Sequence, residues 1–143
     1  MNVADGLRRS LIACGAWLIA VSMLTGIWTA AALTQKFGIG DGKLALAAHL
    51  NALIGGLWLI AVAWSLDYLR YGETGRRRIA WLISLSVWAN WLVTLIASFL
   101  KVNGLDYNSD PKNNAIAFLL QTTVVLPALI GAIAWALGFR KKN

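Results

Sequence analysis

Acidic residues are scarce in this sequence, six against thirteen basic ones, and none of either sign falls within four long apolar stretches. There is one cysteine, one histidine and two prolines. A lone cysteine, Cys14, excludes a disulfide within the chain and says nothing of redox compartment. The absence of carboxylates from the apolar stretches removes the usual equipment of a proton-coupled exporter or a voltage sensor. The segment Gly38–Lys43 is glycine-rich, but it lacks the four-residue gap and the hydroxyl after lysine that a phosphate-binding loop requires. It reads as a flexible turn. With 59% hydrophobic and only 13% charged residues, the chain has too little polar surface to cover a soluble domain.

What is present is lipid-compatible length. Four uncharged runs, Ser10–Gln35, Leu44–Leu66, Ile79–Leu100 and Ala115–Phe139, each reach the roughly 20 residues a helix needs to cross about 30 Å of hydrocarbon. Backbone groups in lipid must be satisfied inside each segment, which selects helices over barrel strands for runs of this length. The expected fold is all-α: a single four-helix transmembrane domain over residues 1–143, with short connections that make sequential helices antiparallel neighbours. The first run exceeds the 7–15 apolar residues typical of a signal peptide, so it is expected to be retained.

The net charge of +7 is unevenly placed. Arg8, Arg9, Arg70, Arg76, Arg77, Arg78, Arg140, Lys141 and Lys142 fall on one side of the alternating topology; Lys36, Lys43, Lys101 and Lys112 share the other with Asp41, Asp106 and Asp110. This asymmetry is the positive-inside signature, and it predicts both termini and the middle loop in the cytoplasm, with no role in nucleic-acid binding. Trp28, Trp64, Trp81, Trp135, Tyr68 and Tyr71 lie near span ends, as membrane anchors do.

Polar groups inside the spans are few: His49 and Asn51 on the second, Asn90 on the third, Gln121, Thr122 and Thr123 on the fourth. At about 1.5 Å per residue, His49, Asn90 and Gln121 are all expected in the outer half of the bundle. Ser86, Asn90, Thr94 and Ser98 recur every four residues and form one stripe; Ser22, Thr25 and Thr29 form a shorter one. Such stripes serve either helix packing or a polar site. His49, with Gly56 two turns further along its face, reads either as a hydrogen-bonded interfacial side chain or as the single axial ligand of a haem, whose iron can act as a Lewis acid. Pro127 removes a helical hydrogen bond to Thr123, so the fourth helix is expected to bend there.

The runs Ala48–Leu59 on the second span and Trp88–Leu95 on the third resemble hydroxylaminobenzene mutase, a family of small four-helix membrane proteins that convert hydroxylaminobenzene to 2-aminophenol. More distantly the chain resembles styrene oxide isomerase, which turns an aryl epoxide into an aldehyde. The resemblance implies that His49 binds ferric haem b in a homo-oligomer, a trimer in the isomerase family. It implies that Asn90 matches an asparagine shared by both families. Two positions depart from the isomerase pattern: Gly55 stands where an asparagine is expected, with Asn51 one turn earlier, and Thr94 stands where a tyrosine is expected. These departures favour the mutase side.

The expected function is therefore a membrane isomerase for a small aromatic substrate taken from the lipid. His49 is expected as metal ligand, Gly56 as part of the cofactor surface, and Asn51, Asn90 and Thr94 as the catalytic set. An aryl epoxide isomerase is the second reading, and a non-catalytic membrane subunit or small-molecule carrier the third.

Overall fold

A computed structural model describes residues 3–35 and 38–140. Lys36, Lys141 and Lys142, which enter the charge argument, lie outside the described residues. The described chain is all-helical. Helix α1 is Val3–Leu33, α2 is Gly42–Ser65 followed by a 3-10 turn at Leu66–Tyr68, and α3 is Glu73–Leu100. Helix α4 runs over Pro111–Gly138, with α-helix at Pro111–Leu119, a π-helical segment at Leu120–Val125, and α-helix again at Leu126–Gly138. All four are long and apolar enough to cross a membrane, as a multi-pass membrane protein requires.

The helices start earlier than the loss of charge marks. Asp41 caps α2, its carboxylate accepting from the backbone N–H groups of Lys43 and Leu44 at 2.8 and 3.0 Å. Asp110 caps α4 from the position before Pro111, which occupies the first turn where its missing N–H costs nothing. Helix α3 begins at Glu73, six residues before the uncharged run, because Arg76, Arg77 and Arg78 are good helix formers that need no lipid. At its other end Lys101 adopts a left-handed φ of 56° and closes the helix on the Ala97 carbonyl.

Helix α1 packs along α2, α2 along α3, and α3 along α4. Contacts at the ends show which connections lie together. Arg8 pairs with Asp67, and the Arg70 N–H donates to the Gly138 carbonyl at 2.9 Å, so the start of α1, the α2–α3 connection and the end of α4 share one end of the bundle. The Asp41 N–H donates to the Ser98 carbonyl at 2.8 Å and ties the opposite end. There the α3–α4 connection is fastened by buried Asn113, which accepts from the Gly104 N–H and donates to the Asp106 carbonyl.

Lipid is as apolar as leucine, so helices in it associate through close packing rather than through hydrophobic transfer. The α1–α2 seam shows this. A methyl group on Gly15 would lie 2.7 Å from the Gly56 carbonyl oxygen, and one on Gly56 would lie 2.7 Å from that of Gly15. The backbones cross with no room for a side chain. Leu18, Leu59 and Ile83 then fill the centre with no exposure.

Not all terminal aromatics face outward. Trp64, Trp81 and Tyr68 are exposed, as anchors are. Trp28 instead stacks on Phe99 at 4.7 Å between ring centroids, Trp135 donates to Ser65 Oγ at 2.9 Å, and Tyr71 donates to the Ala134 carbonyl at 3.0 Å. These three brace the bundle.

Gly56→Ala is expected to lower the thermal midpoint in detergent, because the opposing atom is backbone and cannot rotate away; overpacking of this kind costs about 1–3 kcal/mol. Gly6→Ala, inside α1 where a methyl would meet nothing within 4 Å, is the matched control and should not lower the midpoint.

Candidate functional site

The polar residues of the spans separate into two groups, placed on opposite flanks of α2. Residues two apart on a helix point about 200° away from each other. His49 accordingly faces α1 while Asn51 faces α3.

On the α1 flank, His49 Nδ1 lies 2.8 Å from the backbone carbonyl oxygen of Ser22 and 3.1 Å from Ser22 Oγ. A carbonyl can only accept, so Nδ1 carries the proton and donates it. Ser22 Oγ in turn donates to the His49 carbonyl at 2.8 Å. The imidazole is therefore fixed in orientation with Nδ1 as donor, and Nε2 has no partner among the described residues. The ring lies against Gly26, where a methyl group would sit 3.1 Å from Cε1 and 3.8 Å from Nε2. The missing side chain at position 26 is what makes room for the ring. Gly56 does not do this: it is covered by Ile19 and the Gly15 carbonyl of α1. Gly26 was not singled out in the sequence because it sits on another helix, 23 residues before the histidine it accommodates.

On the α3 flank, Asn51 Nδ2 donates to Asn90 Oδ1 at 3.1 Å and to Thr94 Oγ1 at 3.3 Å, and Thr94 Oγ1 donates to Asn90 Oδ1 at 3.4 Å. The three residues expected as a catalytic set thus form one cluster. In this arrangement Asn90 Nδ2 and Asn51 Oδ1 have no partner among the described residues. Both asparagines line a cavity of about 200 Å³ between α2, α3 and α4, whose apolar walls include Ile54, Trp58, Val87 and Val124. Gly55 lines it too, one turn below Asn51, and its bare Cα lets Val87 approach. The asparagine at position 51 therefore reaches the same cavity that one at position 55 would face.

The wall contributed by α4 is the π-helical segment. Pro127 cannot donate to the Thr123 carbonyl, and its ring crowds that carbonyl; the helix answers by widening over Leu120–Val125, so that the Leu126 N–H donates to the carbonyl of Gln121. Thr122 and Thr123 hydroxyls donate to the carbonyls of Phe118 and Leu119, four residues back, both at 2.7 Å. The irregularity expected at Pro127 thus takes the form of a π-helical turn before it. Gln121 does not join the cluster: it is exposed and accepts from Tyr107 Oη at 3.2 Å.

Of the remaining hydroxyls, Thr29 donates to the Ala45 carbonyl across the α1–α2 seam and Thr25 accepts from Trp91 Nε1, while Ser86 and Ser98 donate to carbonyls of their own helix, and Ser86 also lines the cavity. Trp88 donates to Cys14 Sγ at 3.0 Å and stands edge-on to Trp91.

The fold and the two polar flanks define an integral membrane bundle with one pinned histidine and one asparagine-lined cavity. The sequence model described as styrene oxide isomerase matches residues 7–140, nearly the whole chain. The chain belongs to the styrene oxide isomerase family. It is also 30% identical over 99 residues to the hydroxylaminobenzene mutase HabB of Ectopseudomonas oleovorans, a match covering 68% of this chain and 56% of that relative. The chain thus spans little more than half the length of the curated relative it matches.

Asn51→Leu and Asn90→Leu are each expected to destabilise the bundle by stranding a polar partner, and the double substitution by less than their sum. A double-mutant cycle on thermal midpoints should return a coupling of about 0.6–2 kcal/mol.

Proposed function

We propose that the protein is a membrane isomerase for a single-ring aromatic substrate, and that the specific reaction is the conversion of hydroxylaminobenzene to 2-aminophenol. The observation that carries the reading is the pairing of a free amide donor, Asn90 Nδ2, with a free amide acceptor, Asn51 Oδ1, at the rim of an apolar cavity. At about 200 Å³ that cavity is smaller than the roughly 300–1,000 Å³ that takes drug-sized ligands, which suits one ring. Trp58, Val87 and Val124 would hold the ring. Asn90 Nδ2 would donate to the hydroxyl oxygen of the substrate, and Asn51 Oδ1 would accept from its N–H. Such a grip orients the N–O bond relative to the ring carbon that receives the oxygen. The apolar walls keep bulk water from competing for that carbon. Substrate and product have the same atoms, so no net electron transfer is needed.

The residues at His49 fit the haem b that the resemblance implies. Its Nδ1 proton is tied to the Ser22 carbonyl, its Nε2 has no partner among the described residues, and Gly26 makes room for the ring. Bound there, haem b supplies a Lewis acid that polarises a heteroatom. Because His49 and Asn90 lie on opposite flanks of α2, the reading joins them across copies: His49 of one chain meets the Asn51–Asn90 cavity of its neighbour in a homo-oligomer, a trimer by the family pattern. The expected setting is the bacterial cytoplasmic membrane, with both termini inside.

The purified protein is expected to show a Soret band that His49→Ala abolishes. Absence of the band, or its survival in the variant, overturns the haem assignment. Neither His49→Ala nor Asn90→Ala alone should convert hydroxylaminobenzene, whereas co-expression of the two variants should restore a measurable fraction of activity. No restoration, with assembly intact on size exclusion, would rule out a site shared between copies. The family match over residues 7–140 favours one second reading, an aryl epoxide isomerase; phenylacetaldehyde formation from styrene oxide distinguishes it.

A further inference from the structure

At the end of the bundle that holds the described N-terminal residues, two grooves flank one arginine. The first, about 420 Å³, is lined by Thr74, Arg77, Arg78, Trp81 and Leu82. The second, about 260 Å³, is lined by Tyr71, Arg78, Leu82, Ile130 and Ala134 among others. Arg78 and Leu82, one helical turn apart on α3, line both. Neither groove belongs to the site described above.

The charge at this end is not balanced within the fold. This end offers three carboxylates, Asp5 in the first turn of α1, Asp67 in the 3-10 turn after α2 and Glu73 at the start of α3. Asp67 is shared by Arg8 and Arg76, and Glu73 pairs with Arg77 at 2.7 Å. Arg78 has no ion pair among the described residues and is exposed, and Arg70 lies over the nearby Tyr71 ring. The uncharged run of α3 starts at the next residue, Ile79, so Arg78 stands where hydrocarbon gives way to headgroups. Trp81, 63% exposed, marks the same level. Below the arginine the walls are apolar. In the second groove, Ile130 lies one turn, about 6 Å, deeper than Ala134.

We propose that Arg78 is the headgroup anchor of a specific site for an anionic diacyl phospholipid, with one acyl chain in each flanking groove. A guanidinium and a phosphodiester make a charge-assisted, two-point contact, which replaces the carboxylate that Arg78 lacks. The choice of an anionic over a zwitterionic lipid follows from Arg70, over the Tyr71 ring of the second groove: a quaternary amine on the headgroup would meet like charge. Two grooves meeting at one cation match two chains meeting at one phosphate.

The test is thermal unfolding of the full chain in detergent, with short-chain phosphatidylglycerol or phosphatidylcholine added at equal concentration. Phosphatidylglycerol should raise the midpoint by several degrees more than phosphatidylcholine, as a ligand that binds only the folded state does. Arg78→Gln should remove that excess, and Arg140→Gln, an exposed cation outside the grooves, should keep it. Equal shifts from the two lipids overturn the proposal. Retention of the excess in Arg78→Gln, or its equal loss in Arg140→Gln, overturns it too, the latter by assigning the preference to diffuse surface charge. Inorganic phosphate alone should produce no shift; a shift matching that of phosphatidylglycerol would show that the grooves hold no acyl chain, and would sink the idea.

Discussion

The contact between the Gly15 and Gly56 backbones governs much of what the rest of the bundle can do. With no side chain between them, α1 and α2 approach closely enough for Ser22 to reach both the His49 ring and the His49 carbonyl, and for Thr29 to reach the Ala45 carbonyl two turns away. A wider seam would leave these polar atoms in a medium that offers no substitute partner. The close crossing therefore fixes the histidine orientation as directly as the hydrogen bond does. It also decides the fate of Gly56, which is consumed by packing and cannot present a surface to any ligand.

A second constraint acts on the opposite side of α2. The cavity beside Asn51 and Asn90 exists because two irregularities coincide there. Gly55 keeps α2 thin against Val87, and Pro127 forces α4 to widen into a π turn. A regular α4 with alanine at position 127 would continue its hydrogen-bond ladder and carry Val124 to a different place in the wall. The stability lost at the π turn is offset locally by the hydroxyls of Thr122 and Thr123, which bond the carbonyls one turn back. Irregular backbone in a membrane persists only where such partners or neighbouring helices satisfy it.

Much of this was legible in the sequence. The four spans followed from uncharged length, and the cluster of Asn51, Asn90 and Thr94 from the four-residue stripe on α3 together with the few polar groups on α2. Helix starts were less legible, since hydropathy marks where lipid begins and not where the helix does; the caps at Asp41 and Asp110 carry that information instead. Gly26 could not be found by reading around His49, because its relation to the ring depends on the register between two helices. Gln121 keeps the depth that a helical count gives it, beside Tyr107 of the α3–α4 connection, but it faces out of the bundle and not into the cluster.

The two-residue spacing of His49 and Asn51 has a larger consequence than either residue alone. On one helix it directs the pinned imidazole towards α1 and the amide cluster towards α3, with the buried face of α2, Ala48, Ala52 and Leu59, between them. No small substrate can touch both flanks of the same helix through that packed face. A site that needed both groups within one chain would have to be reached around the lipid-exposed ridge of Leu50, Ile54 and Leu57. Apposition of two copies removes the difficulty, since the α1 flank of one helix pair and the α3 flank of another can face each other with the exposed ridges buried between them. The same ridge that looks like ordinary lipid-facing surface in one chain would then wall the shared site, which is why the proposed chemistry and the proposed assembly stand or fall together.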